Sequence, residues 1–490
     1  MNKIKIEDLM SQSGVSFGTS GARGLVVQMT DAVCYAYTQA FLQYMATQNC
    51  PHYILAVAGD LRPSTGRIMA AVSKAAQDMG WQVHNCGRVP SPAVAQYGLQ
   101  RQIPSIMVTG SHIPDDRNGI KFNTHLGEIT KADEKGITAQ VVEVPSEELC
   151  STKDLGVDSE TECVAEYQQR LVDFFGKQAL EGWRLGVYQH STVGRDVAVE
   201  LLEALGAEVI ALGRSEVFVP VDTEAIRPED QDLARQWAQE HKFDALISMD
   251  GDADRPLLAD ARGNWWRGDV LGIVAARALG IAAVAIPVSC NSAAEKSEYF
   301  QQVERTRIGS PFVIAGMEAL QKDFGPVAGY EANGGFLLQN QVNLKGKSLS
   351  ALPTRDALLP VVATLGWAKQ QNLSLAQVAE QLPERFTASN RLPEFPTAQG
   401  RACLQKFTEN TVANLAEKWF GALCGSFVQA DFTDGVRMEF DSQEIVHLRT
   451  SGNAPELRCY NESHDAQRVV ELNDKCISIL EAWREPNCEI

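Results

Sequence analysis

The chain has 490 residues, 44% of them hydrophobic and 22% charged. That composition predicts a globular protein, and cores stop growing near about 250–300 residues, so two to four domains are expected. The formal charge of −18 argues against non-specific binding to nucleic acid or an anionic membrane, and it leaves room for a phosphorylated substrate only where Arg and Lys are locally concentrated.

Eleven cysteines are scattered without a Cys-x-x-Cys pair or a zinc spacing, which reads as buried thiols in a reducing compartment. The opening MNKIKIEDLM lacks the apolar core of a signal peptide. Residues 270–289 are nearly long enough to span a bilayer, but Arg277 sits in the middle and Gly280 interrupts the run. The expected reading is a helix, a glycine stop and a buried strand.

Along the chain, strand and helix alternate. Residues 52–60 and 81–89 read as strands, 67–80 and 92–99 as helices, and 104–110 as a further strand. This order predicts crossover helices on a largely parallel sheet. An acidic, polar stretch over 143–163 reads as a linker. The pattern restarts with strands at 183–190, 207–214 and 243–250 and helices at 193–206 and before Lys242. A third round has a helix over 268–280, a strand over 281–289, a helix over 311–323 and a hairpin over 329–339. A long helix is expected over 355–371, kinked or offset by Pro360. The last quarter has alternating strands at 435–440 and 444–449 and an amphipathic helix over 466–483, as in a smaller α+β domain.

Four loops carry candidate chemistry. TGSHIPDDRNGIKF (109–122) follows a buried strand and sets Ser111 at the carboxyl edge of a sheet, where open α/β sheets bind ligands. Gly-x-Ser-x-Gly is absent, which disfavours a serine hydrolase, and a polar turn would read the same. DGDADR (250–255) offers three carboxylates at alternate positions, suited to one hard cation, although a solvated acidic turn has the same wording. An EF-hand is excluded because Arg255 and Ala261 stand where Gly and Glu are required. Arg255 itself can hold a phosphate oxygen beside the metal. In GYEANGGF (329–336), Glu331 and Asn333 can bond sugar hydroxyls, and an ordinary glycine-rich hairpin is the alternative. RTSGNAPELR (449–458) assembles Arg449, Ser451, Gly452 and Asn453 as parts of a phosphate cradle. The Gly-Lys-Ser at 346–348 is no P-loop, because Gln341 stands where the first Gly is needed.

In this order and spacing the four loops resemble the α-D-phosphohexomutases, closest in wording to the bacterial phosphomannomutase group. FGTSGARG (17–24), GDLRPS (59–64), GRVPSPAV (87–94) and TRDAL (354–358) add to the likeness, which covers nearly the whole chain. The resemblance implies three similar α/β domains with mixed, largely parallel sheets, then a smaller α+β domain, around one central cleft. The expected boundaries are 1–150, 151–258, 259–375 and 376–490.

The same resemblance implies a phosphoryl group carried on Ser111, with Arg23 and Lys121 stabilising its transfer. Asp250, Asp252 and Asp254, with a serine phosphate oxygen, would hold one Mg²⁺. Arg255, Glu331, Asn333, Arg449, Ser451, Gly452 and Asn453 would bind substrate. The implied reaction interconverts mannose 1-phosphate and mannose 6-phosphate through a 1,6-bisphosphate, with hexose 1,6-bisphosphate as activator. Glucose or glucosamine phosphates, or binding without turnover, are the alternatives. A cytoplasmic monomer or homodimer is expected. Ile113, Ser310 and Gly335 depart from residues common among relatives, which leaves the proton-transfer groups unassigned; His112 is read as a loop brace.

Overall fold

The computed structural model describes residues 2–18, 21–451 and 455–484. The chain divides into two units, Met1–Val284 with Gly309–Val378, and Ala285–Ile308 with Ala379–Ile490.

The first unit opens with an eight-stranded mixed sheet. Ile54–Gly59 lies between Gln82–Gly87 and Ser105–Val108, parallel to both, while Arg117–Thr124 runs antiparallel to Ser105–Val108 and carries Gly21–Leu25 on its other side. The central strands are buried on both faces, which is why they read as unbroken apolar runs rather than alternating ones. Helices Asp31–Thr47 and Thr65–Asp78 pack beside this sheet, and Phe41 meets Phe122 at 4.8 Å between ring centroids. Each fully buried aromatic of this kind contributes on the order of 1.5–3 kcal/mol.

The acidic stretch over 143–163 is more than a linker. Val157–Asp158 adds a parallel strand beside Gln82–Gly87, and Glu160–Phe175 is a helix whose Cys163, Tyr167 and Leu171 are buried. The strand is only two residues long, and the acidic first turn of the helix hid where it begins.

A second sheet orders Glu208–Arg214, Arg184–His190, Ala245–Met249 and Pro256–Asp260, the first three parallel and the last antiparallel. The aspartates of 250–255 therefore sit in the turn of a hairpin, closed by Asp250 N–H to Arg255 C=O at 3.1 Å. In the third α/β segment, Val327–Tyr330, Phe336–Leu338 and Leu352–Asp356 pair antiparallel in that order, so the hairpin expected over 329–339 is present.

The helix expected over 355–371 begins only at Leu358 and ends at Gln371. Arg355 and Asp356 belong instead to the strand Leu352–Asp356. Asp356 Oδ1 accepts from the N–H groups of Leu358 and Leu359, which starts the helix there. Pro360 falls in the first turn, where a missing N–H costs no helical bond. The apolar run at 270–289 is, as expected, a helix (Gly268–Ala278) and a buried strand (Ala283–Pro287). Among the described residues no helix is long and apolar enough to cross a membrane. The described cysteines are all unpaired, and all but Cys50 are buried.

In the second unit, Phe386–Leu392, Leu457–Ser463, Ile445–Thr450, Val436–Phe440 and Phe427–Asp431 form one antiparallel sheet in that order. Val436–Phe440 buries alternate residues, as a half-exposed strand should. Helix Ala466–Ala482, capped by Asp465 on the Arg468 N–H, supplies Leu472, Cys476 and Leu480 to a core with Met438, Leu448 and Trp483.

Candidate active site

Strand Ser105–Val108 ends in a tight turn that holds Ser111 at φ 56°, a left-handed conformation that costs a non-glycine residue on the order of 1 kcal/mol. A buried brace holds the turn. Arg62 is 1% exposed. Its guanidinium donates to Asp60 Oδ2 (3.0 Å) and to the carbonyls of Ser111 (2.7 Å), Ile113 (2.6 Å) and Pro114 (2.9 Å). Thr109 bridges the two layers: its hydroxyl donates to Asp60 Oδ2 at 2.7 Å and accepts from the Ser111 N–H at 2.8 Å.

The aspartate turn is pressed against this serine. Ser111 Oγ donates to Asp250 Oδ2 at 2.6 Å. A Cβ on Gly251 would stand 2.6 Å from the Ser111 carbonyl oxygen, so the approach requires glycine there. One ligand oxygen from each of Asp250, Asp252 and Asp254 lies within 4.8 Å of the others, and all three residues are buried. Lys121 Nζ donates to Asp252 Oδ2 and Asp254 Oδ2, both at 2.6 Å, and Ser91 Oγ donates to Asp252 Oδ2 at 2.5 Å. The Oδ1 atoms of Asp252 and Asp254 are buried without a hydrogen-bond partner. Buried acceptors left unmade are costly, and three clustered carboxylates suit a hard divalent cation. The residues present therefore fit a metal ion.

The electrostatics follow from the crowding. Burial, then Asp252 and Asp254, push the Asp250 carboxyl well up. Burial acts the same way on Asp252, but Lys121, Ser91 and Arg255 outweigh it and hold Asp252 low. Arg23 is held down to about 10, by burial first and then by the neighbouring Arg255 and Arg355. His112 is pushed down to about 3 by burial and by Arg255. Its Nδ1 lies 3.0 Å from Arg255 Nη1, an obligate donor, and 3.4 Å from Ser111 Oγ. Burial and Arg255 thus favour the neutral imidazole, with its Nδ1 lone pair facing Arg255.

Glu331 and Asn333 are buried in the turn between Val327–Tyr330 and Phe336–Leu338. Asn333 Oδ1 accepts from the Gly335 N–H at 3.0 Å, and its carbonyl accepts from Thr223 Oγ1 at 2.7 Å. Ser310, one of the departures, donates to Glu128 Oε2 at 2.9 Å, and Thr354 donates to Oε1 of the same carboxylate at 2.6 Å.

The structure thus brings Ser111, Lys121, Asp250, Asp252, Asp254 and Arg255 together, with Arg23 near enough to feel Arg255 and Arg355. Arg62, Thr109 and Ser91 were not singled out from sequence, although GDLRPS and GRVPSPAV contain the first and last. Arg355 was missed too, because TRDAL was read into a helix.

In the second unit, Arg449 pairs with Asp434 at 3.5 Å, and the buried Ser451 donates its N–H to the Glu456 carbonyl at 2.9 Å. Gly452 and Asn453 lie outside the described residues.

Fold and site together define a multi-segment α/β protein that holds a serine against a buried carboxylate trio, with Lys121 and arginine side chains around it. Residues 14–148, 165–263 and 267–386 match, in turn, the alpha/beta/alpha domains I, II and III of phosphoglucomutase/phosphomannomutase. A Salmonella muenchen protein named phosphomannomutase is 42% identical over 95% of this chain and 96% of its own length. A second phosphomannomutase, from Sinorhizobium fredii, is 40% identical over 95% of this chain and 99% of its own. The fold is shared with a crystal structure of a phosphoglucomutase/phosphomannomutase family protein from Burkholderia thailandensis, at TM-score 0.72 and 18% identity over 96% of this chain and 98% of that one. The chain belongs to the phosphoglucomutase/phosphomannomutase family, the α-D-phosphohexomutases.

Proposed function

We propose that the chain interconverts mannose 1-phosphate and mannose 6-phosphate through a phosphoserine at Ser111. The observation that carries this is the 2.6 Å bond from Ser111 Oγ to Asp250 inside the aspartate cluster. The sugar is chosen on the names of the two relatives above 40% or at it.

In this reading phosphoserine gives its phosphoryl group to the free hydroxyl of the sugar monophosphate, whose proton leaves, and Ser111 regains its hydroxyl. The resulting 1,6-bisphosphate then returns its other phosphoryl group to Ser111. Phosphoryl transfer asks mainly for positioning and charge neutralisation. Asp250, Asp252 and Asp254 would hold Mg²⁺, which supplies electrophilic stabilisation of phosphoryl oxygens. Arg23, Lys121 and Arg255 supply fixed positive charge, and Lys121 is placed on the aspartates' own oxygens. Glu331 and Asn333 face the sugar; Arg449, Ser451, Gly452 and Asn453 take the phosphate that is not transferred.

This function goes with four domains divided at 150, 258 and 375, a trace hexose 1,6-bisphosphate requirement, a monomer or homodimer, and a cytoplasmic setting. The test is phosphorus NMR of mannose 1-phosphate with Mg²⁺ and a trace of bisphosphate, with glucose 1-phosphate and Ser111→Ala in parallel. Conversion to the 6-phosphate that needs Ser111 and Mg²⁺, faster for mannose, is the expected result. Equal conversion by the alanine variant would overturn the phosphoserine route.

A further inference from the structure

Arg355 stands where sequence periodicity did not place it. It lies near the end of strand Leu352–Asp356, with its side chain 4% exposed. Nε donates to Glu331 Oε2 at 2.5 Å, and Nη1 lies 3.7 Å from Asp254 Oδ2. Among the described residues neither terminal nitrogen has a hydrogen-bond partner. The same side chain lines an opening with Lys121, Glu128, Thr354 and Asp254.

The space for this guanidinium exists because position 335 has no side chain. A Cβ on Gly335 would stand 2.6 Å from Arg355 Cδ and 2.8 Å from Cγ, distances that side-chain carbons do not tolerate. The φ of Gly335 is not in the left-handed region, so space and not backbone conformation excludes a larger residue there. Gly335 and Arg355 thus form a complementary pair: the missing side chain of one is filled by the stem of the other.

We propose that Arg355 is a specificity-determining residue of the sugar site, working with Glu331 as a donor–acceptor pair that reads two neighbouring hydroxyls of the bound sugar phosphate. The carboxylate of Glu331 accepts a hydrogen bond from one hydroxyl, and the terminal N–H groups of Arg355 donate to the oxygen of the next. Their mutual bond through Nε sets the spacing between acceptor and donor. Arginine suits the place because its donors lie in a rigid plane and it keeps its charge. This inference rests on the mutase reading above.

A contact made equally to substrate and transition state changes KM and leaves kcat. Arg355→Gln is therefore expected to raise KM for mannose 1-phosphate roughly 10- to 100-fold, with kcat within about threefold, as loss of a charge-assisted bond implies. Arg355→Lys should recover part of the affinity. Gly335→Ala should raise KM by itself, by displacing the guanidinium, yet add little in the Arg355→Gln background.

Wild-type KM in a folded Arg355→Gln variant would overturn the proposal, as would a fall in kcat at unchanged KM. Should that variant fail to fold, Gly335→Ala decides: an unchanged KM refutes the shared space. Should the wild-type protein bind mannose 1-phosphate without converting it, the mutase reading fails and calorimetry takes over. A weaker Kd in Arg355→Gln then supports the donor–acceptor pair, and an equal Kd refutes it.

Discussion

Removing the Arg62 guanidinium should cost both stability and rate, and the two effects have separate sources. Arg62→Ala strands the Asp60 carboxylate, whose side chain is fully buried, with only the Thr65 and Thr109 hydroxyls and the residue-62 N–H as donors. Breaking a buried ion pair from one side costs about 3–5 kcal/mol. The carbonyls of Ser111, Ile113 and Pro114 lose their shared donor at the same time. The loop that carries Ser111 then keeps its contacts to Thr109 and Asp250 but loses the guanidinium that ties its carbonyls together, and a displacement of about 1 Å at a reacting group costs on the order of 100-fold in rate. Arg62→Lys keeps the charge opposite Asp60 but cannot fork to three carbonyls, so it should recover more stability than rate. Urea denaturation followed by circular dichroism reads the first effect, and mutase kcat with intact-mass detection of phosphoserine reads the second. An Arg62→Ala protein with an unchanged denaturation midpoint and kcat within threefold of wild type would refute the argument that this side chain positions the serine.

Three further outcomes are expected. Asp252→Asn should abolish the rise in melting temperature that Mg²⁺ gives to chelator-treated protein, and lower mutase activity at least about 100-fold; an unchanged thermal shift would remove Asp252 from the metal site. In the second unit, Glu462 accepts from Arg385 Nε at 2.5 Å and from the Ser292 N–H at 3.0 Å, buried on both sides of the pair. Glu462→Gln should lower that unit's stability by about 3–5 kcal/mol, visible as faster amide exchange in Leu457–Ser463 but not in Ile54–Gly59. His447 is pushed down from 6.5 to about 4, chiefly by burial. Its Nε2 lies 2.7 Å from the Asp434 carbonyl, and its Nδ1 is buried with no acceptor for a second proton. The unfolded chain therefore takes up the proton first as pH falls, and stability is lost between about 6.5 and about 4, at roughly 1.4 kcal/mol per pH unit. His447→Phe, which keeps the ring packed at Tyr460, should flatten that slope relative to wild type in denaturant melts at pH 7.5, 6 and 5; an identical slope would show that His447 does not titrate there.

Much of the layout was legible before any coordinates. The buried strands over 52–60, 104–110 and 243–250 announce themselves as unbroken apolar runs, because strands covered on both faces have no polar side to alternate. The aspartate turn and the serine turn were each ambiguous alone, and became legible only through the order and spacing of the four loops together. Helix 466–483 was legible because one of its faces is solvated and the other is packed. Less was legible where an element is short or its polarity misleads. Val157–Asp158 is two residues of strand inside an acidic stretch, and no periodicity exists over two residues. The boundary at Leu358 depends on Asp356 accepting from two N–H groups, a local bond that an apolar count cannot see.

The sequence by itself determined which chemistry the chain can hold: a serine, three aspartates at alternate positions, and cations in fixed loops, in an order that specifies strand, turn and strand. Only the tertiary structure decided which of these groups meet. Ser111 and Asp250 are 139 positions apart and bonded at 2.6 Å. His112, beside the serine in sequence, has its Nδ1 3.0 Å from Arg255, a residue of a different loop. Arg355, 24 positions from Glu331, reaches it through the space that Gly335 leaves open. The physical reason is the same in each case: local pattern is set by the burial of one strand or helix at a time, whereas donors, acceptors and free volume at a site are shared among segments whose distance along the chain carries no record of their distance in space.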